Sequence, residues 1–205
     1  MRPSPQAGAA AAAAGLALLA LPPVRGLLEA SMTLHMLVQF PLLVLAGFLL
    51  ARMIPAPWRL RADAWNAHGI AGLLASALIL MVLMIPRLLD LALLDTRIEA
   101  AKFLALLACG TALQLSWQRA GLLVQGFFLG NLLPMTAAAG QWFQDAPVRL
   151  CNAYLLDDQV RLGQGLVLLS VLAAVAFTVQ VLRARRLGGV GLIIPDQPRC
   201  ARSPR

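Results

Sequence analysis

Five stretches of this chain are each long and apolar enough to cross a bilayer, and that feature limits the folds open to it more than any other. The runs are Ala30–Met53, Ala67–Ile85, Ile98–Trp117, Leu122–Ala139 and Leu162–Leu182. About 20 mostly apolar residues carry a helix across the hydrocarbon core. Lipid offers no partner to a free backbone N–H or C=O, so such runs must be helical. A sixth run, Ala7–Leu21, is alanine-rich, follows Arg2 and ends at Pro22-Pro23. It reads either as a short first span or as the apolar region of a cleavable signal peptide. The expected fold is therefore an all-α polytopic transmembrane helix bundle of six spans, or five after cleavage. Residues 1–186 form the bundle, and 187–205, rich in Gly, Pro and Arg, form a disordered basic cytoplasmic tail.

The charge fits this architecture. Only 13% of the 205 residues are charged and 60% are hydrophobic, against about 25% charged in a soluble domain. The net charge of +8 does not imply nucleic-acid binding, because the arginines are scattered between apolar runs instead of forming a patch. Placing the arginine-rich tail in the cytoplasm puts Arg52, Arg59, Arg61 and Arg119 on the same side. That side then holds eleven basic residues and two acids, and the other holds six basic residues and seven acids. The positive-inside rule is satisfied loop by loop. Trp58, Trp65 and Trp142 fall at span ends, where interfacial tryptophans belong. The expected location is a cell inner membrane, multi-pass, with a cytoplasmic C-terminus.

Polar groups inside the spans carry the functional expectation. One of only two histidines, His35, lies within the first long run, about 9 Å below Glu29 along a helix. Met32, His35, Met36 and Gln39 share one helical face. An imidazole flanked by two thioethers is a soft donor set suited to Cu(I), and the lack of a thiolate pair or three histidines makes zinc a poor match. The same residues also serve as ordinary packing and interhelical hydrogen bonding. His68 starts the next span from the opposite side, too far away to share a ligand with His35. Short connections bring Met81, Met84 and the acidic start of the last span, Asp157-Asp158-Gln159, towards the level of His35. Glu99 and Lys102 sit at i, i+3, a favourable pairing geometry, and Lys102, just inside the membrane, is expected either to snorkel outward or to pair with an acid. Pro41 is expected to bend the His35 helix and free a carbonyl near Leu37. Gln114, Gln125, Asn131 and Gln164 are expected to bond between helices. Cys109, Cys151 and Cys200 fall in three different compartments, so no intrachain disulfide is expected.

Two segments resemble a known family. Pro22-Pro23, Glu29-Ala-Ser-Met-Thr-Leu-His35-Met36-Leu-Val-Gln39 and Pro41 are similar to the CtaG-type cytochrome c oxidase assembly proteins. Asp158-Gln159-x-x-x-Gly163 is similar to that family's Asp-Gln-x-x-Gly segment, one residue longer here. The resemblance covers about 40 of the 205 residues. Where the family pattern has a second histidine after Gln39, this chain has Phe40. The resemblance implies a non-enzymatic inner-membrane assembly factor that handles copper on the periplasmic side for a respiratory oxidase. Its partners would be the bilayer and an oxidase subunit or periplasmic copper chaperone, with no nucleic acid. The expected metal set is His35, Met32, Met36 and Asp158, holding Cu(I). The alternatives are a non-metal accessory or structural subunit of a membrane complex, in which His35 only hydrogen-bonds, and a small permease.

Overall fold

A computed structural model describes residues 5–187; most of the expected tail lies outside them. Among the described residues the regular secondary structure is all helical. The helices are α1 (Pro5–Ala20), α2 (Pro22–Glu29), α3 (Met32–Met53), α4 (Ala56–Trp65), α5 (Ile70–Leu83), α6 (Pro86–Leu94), α7 (Thr96–Trp117), α8 (Leu122–Asp145) and α9 (Leu156–Leu187). Four of them, α3, α7, α8 and α9, are long and apolar enough to span a bilayer. The count reaches six if the bent pairs α1–α2 and α4–α5 each make one span. The protein is a multi-pass membrane bundle.

The first bend, 73°, falls at Leu21-Pro22, where prolines open α2 and cannot continue the α1 hydrogen-bond ladder. The second is 88°, and here the sequence expectation needs correction. The run Ala67–Ile85 begins with a turn, not a helix: Gly69 takes the left-handed conformation at φ 71°, and α5 starts only at Ile70. Its 14 residues reach about 21 Å, less than the core thickness of about 30 Å. Before it, α4 carries the exposed Trp58 and Trp65. Arg59 of α4 donates to the carbonyls of Ala51 (3.2 Å) and Arg52 (2.6 Å) at the end of α3. A guanidinium there satisfies orphan carbonyls and opposes the negative pole of the helix. Asp63 of α4 pairs with Arg119 in the α7–α8 connection.

Helix α7 forms the spine, packed on α3, α5 and α6, while α8 and α9 pair with each other. Asn66 and Ser76 bond the C-terminal half of α7, at Ser116 Oγ (2.9 Å) and the Cys109 carbonyl (3.3 Å). Met84, just past α5, packs near Met32 at the start of α3. So α5 runs antiparallel to both α3 and α7, which themselves point the same way. The far ends of α5 and α8, the starts of α3, α7 and α9, and all of α2 and α6 thus gather at one end of the bundle, called here the His35 end.

Close helix crossings set the geometry. Gly47 of α3 and Gly110 of α7 face each other's helix so closely that a Cβ on either would strike the Leu107 or Val44 carbonyl. Small residues let backbones approach this way where lipid gives helices no hydrophobic reason to associate. Asn131 does not bond between helices as expected. It lies exposed on α8 and donates to its own helix at Phe127 O (2.7 Å).

Candidate functional site

Asp158 is where the site begins, because it decides where α3 starts. Its carboxylate accepts from the backbone N–H of Met32, from Ser31 Oγ (2.9 Å) and from Thr33 Oγ1 (2.7 Å). It therefore caps the positive pole of α3 across 126 residues of chain. Both carboxylate oxygens are taken by these bonds. Asp158 is brought to the His35 helix, as its place in the expected metal set requires, but as an anchor of the backbone.

One turn into α3 the helix widens. Residues His35–Gln39 form a π turn, with the Phe40 N–H bonded to the His35 carbonyl instead of that of Met36. Pro41 follows and has no N–H to offer Leu37, so the ladder changes register here. The expected proline bend is thus taken up as a π turn. Its consequence is that His35 and Gln39, both fully buried, face the same neighbour on α7.

That neighbour is Lys102. Its ammonium is 2.8 Å from Glu29 Oε1, 2.9 Å from His35 Nε2 and 3.3 Å from Gln39 Oε1. An ammonium has three N–H donors, and all three are used. Lys102 thus pairs with an acid, and that acid is Glu29 instead of Glu99 one turn away on its own helix; Glu99 takes Arg25 of α2, at 2.9 Å. Arg25 also lies 3.6 Å from Glu29. Two cations and two anions therefore balance within one cluster, as burial in lipid demands.

On its other side, His35 Nδ1 is 2.7 Å from the hydroxyl of Tyr154. Lys102 can only donate, so Nε2 must be the lone-pair nitrogen and Nδ1 carries the proton, donated to Tyr154. Phe40 stands edge-on to the imidazole, with ring centroids 5.5 Å apart.

Tyr154, the chain's single tyrosine, lies in the loop between α8 and α9. The loop is pinned from two sides. Gln159 accepts from Leu150 N (2.8 Å) and donates to Phe143 O (3.1 Å), and Asp90 of α6 accepts from Asn152 N (2.9 Å) and Ala153 N (3.3 Å). Burial first, then the negative charges of Glu29, Asp158 and Asp90, push the Tyr154 phenol up, so it stays a neutral partner for His35. Neither Tyr154 nor Arg25 stands out in the sequence as a site residue. The available signal was a lone tyrosine three residues from Cys151.

Met32 and Met36 are buried in an apolar cluster with Leu89, Phe143, Cys151, Tyr154, Leu162 and Leu166, and Met84 packs against it. Met81 points away and is half exposed. His68 is exposed at the opposite end of the bundle. Cys109 and Cys151 are both free; Cys200 lies outside the described residues. Among the described residues, no group of three or more His, Cys, Asp or Glu side chains is arranged to hold a metal ion. The fit to Cu(I) at His35 is poor on direct grounds: one ring nitrogen is protonated and the other faces an ammonium.

Burial, reinforced by the charge of Asp90, pushes the Cys151 thiol up to about 12 from its ordinary value near 9.0. A thiol whose pKa is raised on folding loses stability for the fold as pH climbs above 9 towards 12. The same shift lowers the thiolate fraction about 10³-fold at neutral pH. Cys151 is therefore expected to react with maleimide at least ~100-fold more slowly in the native protein than after denaturation. Mass spectrometry of Cys151 peptides over a labelling time course checks this, and equal rates would contradict the buried placement.

Comparison of the chain with family models, curated proteins and solved structures gives no match.

Proposed function

We propose that this chain is a non-enzymatic accessory subunit of a membrane complex, in which His35 is the hub of a buried hydrogen-bonded ion network. The observation that carries the reading is the double engagement of His35, by Lys102 on one ring nitrogen and Tyr154 on the other. A network of this kind fixes the relative positions of α2, α3, α7 and the Tyr154 loop, and so presents one defined surface at the His35 end. The link to a respiratory oxidase and its assembly rests on the resemblance of the Glu29–Gln39 and Asp158–Gly163 segments. The charge distribution supports a periplasmic His35 end and a cytoplasmic C-terminus.

A copper-handling role is the second reading, favoured by the gathering of Met32, Met36, Met84 and Cys151 in one cluster. There the sulfurs, with Cys151 deprotonated on binding, would be the donors and His35 would stay with Lys102. Copper retention by purified protein under reducing conditions separates the readings. The accessory role predicts well under one equivalent, unchanged in His35→Ala. The sulfur reading predicts one equivalent lost in Cys151→Ser. One equivalent in the wild type that disappears in His35→Ala would overturn the hub role of His35.

Sidedness has its own test. Alkaline phosphatase fused at Gln144 is expected to be active and at Arg186 inactive. The reverse pattern would invert the proposed topology.

A further inference from the structure

Helix α8 meets the rest of the bundle chiefly through α9. Its other side is exposed at Phe127, Asn131, Pro134, Ala138 and Gln141. These positions advance by four, three, four and three residues, the seam spacing of two helices wound left-handed about each other. Within that seam Asn131 is the polar residue deepest in the membrane. It lies about 13.5 Å from the start of α8 and about 21 Å from its end, well inside a hydrocarbon core of about 30 Å.

One N–H of the Asn131 amide is spent on the Phe127 carbonyl of its own helix, at 2.7 Å. The other N–H and Oδ1 have no partner among the described residues. Pro134 adds to the deficit, since it has no N–H to return to the Gly130 carbonyl, and both of these residues are exposed. Lipid tails satisfy none of these groups. The face therefore calls for a donor and an acceptor that the described residues do not supply.

Depth and charge identify their source. Two copies of one chain enter a membrane in the same orientation, so a two-fold axis between them runs along the bilayer normal and sets each residue opposite its twin. A face that pairs in this way needs donor and acceptor at one depth and no net charge. The free N–H and Oδ1 of Asn131 belong to a single amide, and the sequence from Leu122 to Gln144 holds no charged residue.

We propose that this chain forms a parallel two-fold dimer through the exposed face of α8, with each Asn131 amide donating to the Oδ1 of its twin. A lone asparagine at a core position of such a seam fixes register and partner number. Ala138, one heptad further on, faces its own twin, and its small side chain lets the helices approach. None of the seam residues belongs to the His35 network, so the dimer and the hub role of His35 stand or fall separately.

Resonance energy transfer between donor- and acceptor-labelled copies of the full-length protein, tagged at the C-terminus and diluted stepwise with lipid in vesicles, tests the proposal. Transfer above chance proximity is expected to fall with dilution along a monomer–dimer curve. Asn131→Leu should weaken the dimer about tenfold without lowering the melting temperature in detergent, because the side chain it replaces is exposed in the single chain. Oxidative cross-linking locates the contact. In a Cys200→Ser background, Ala138→Cys should give a disulfide-linked dimer, and Leu168→Cys, at an exposed position on α9, should not. Three results would each overturn the assignment: a wild type that stays monomeric at every dilution, leaving the face to lipid or to the helix of another protein; an Asn131→Leu variant that pairs as tightly as the wild type; or cross-linking through Leu168→Cys instead of Ala138→Cys.

Discussion

Replacing Lys102 with methionine is expected to destabilise the protein by about 3–5 kcal/mol, the cost of removing one partner from a buried ion pair. Lys102 is 3% exposed, and its ammonium alone joins α7 to Glu29 of α2 and to His35 and Gln39 of α3. Without it, Glu29 is left next to Arg25 at 3.6 Å as its only charged partner, and two buried acceptors lose their donor. Lys102→Met with Glu29→Gln should recover part of the loss, since the unpaired charge goes with the pair. Urea or thermal unfolding in detergent, followed by circular dichroism, gives the comparison. A single variant as stable as the wild type would mean that the ammonium is solvated and the cluster is open to water.

The second large effect is expected at the α3–α7 crossing. Gly110→Leu places side-chain carbon where the Val44 carbonyl and Phe48 N–H of α3 now lie. The obstacle is backbone and cannot rotate aside, so the two helices must part. The cost should be at the upper end of the overpacking range, about 3 kcal/mol. Gly130 of α8 provides the contrast, because a Cβ there meets nothing within 4 Å. Gly130→Ala is expected to be neutral or to stabilise by up to ~1 kcal/mol through helix propensity. Equal melting temperatures for the two variants would contradict the close crossing.

The long apolar runs made α3, α7, α8 and α9 legible in the sequence, since a bilayer requires them to be helical. The break before α5 was harder to see. It depends on Gly69 adopting a positive φ within Asn66-Ala-His-Gly69, and hydropathy smooths over such a turn. In the site, the common level of His35 and Asp158 followed from short antiparallel connections, whereas the return of the last helix to α3 and the chemistry of the cluster did not. The i, i+3 spacing, a rule of solvated helix faces, favoured Glu99 as a partner for Lys102 without fixing which acid it meets. In the structure Lys102 turns inward because the bend at Leu21-Pro22 lays Glu29 over it. Tyr154 reaches His35 across 119 residues through a loop held by Asp90 and Gln159, a long-range arrangement with no local pattern to reveal it.

Histidine is scarce enough here for the network to be observed at a single residue. With ¹⁵N-histidine labelling and His68→Gln, His35 alone remains visible among the chain's two histidines. In lipid at neutral pH its spectrum is expected to show a neutral ring protonated at Nδ1, unchanged by one equivalent of Cu(I). In Lys102→Met the Nε2 signal should move, since its donor is gone. A ring protonated at Nε2, or a His35 signal displaced by Cu(I) in the wild type, would contradict the hydrogen-bonded hub.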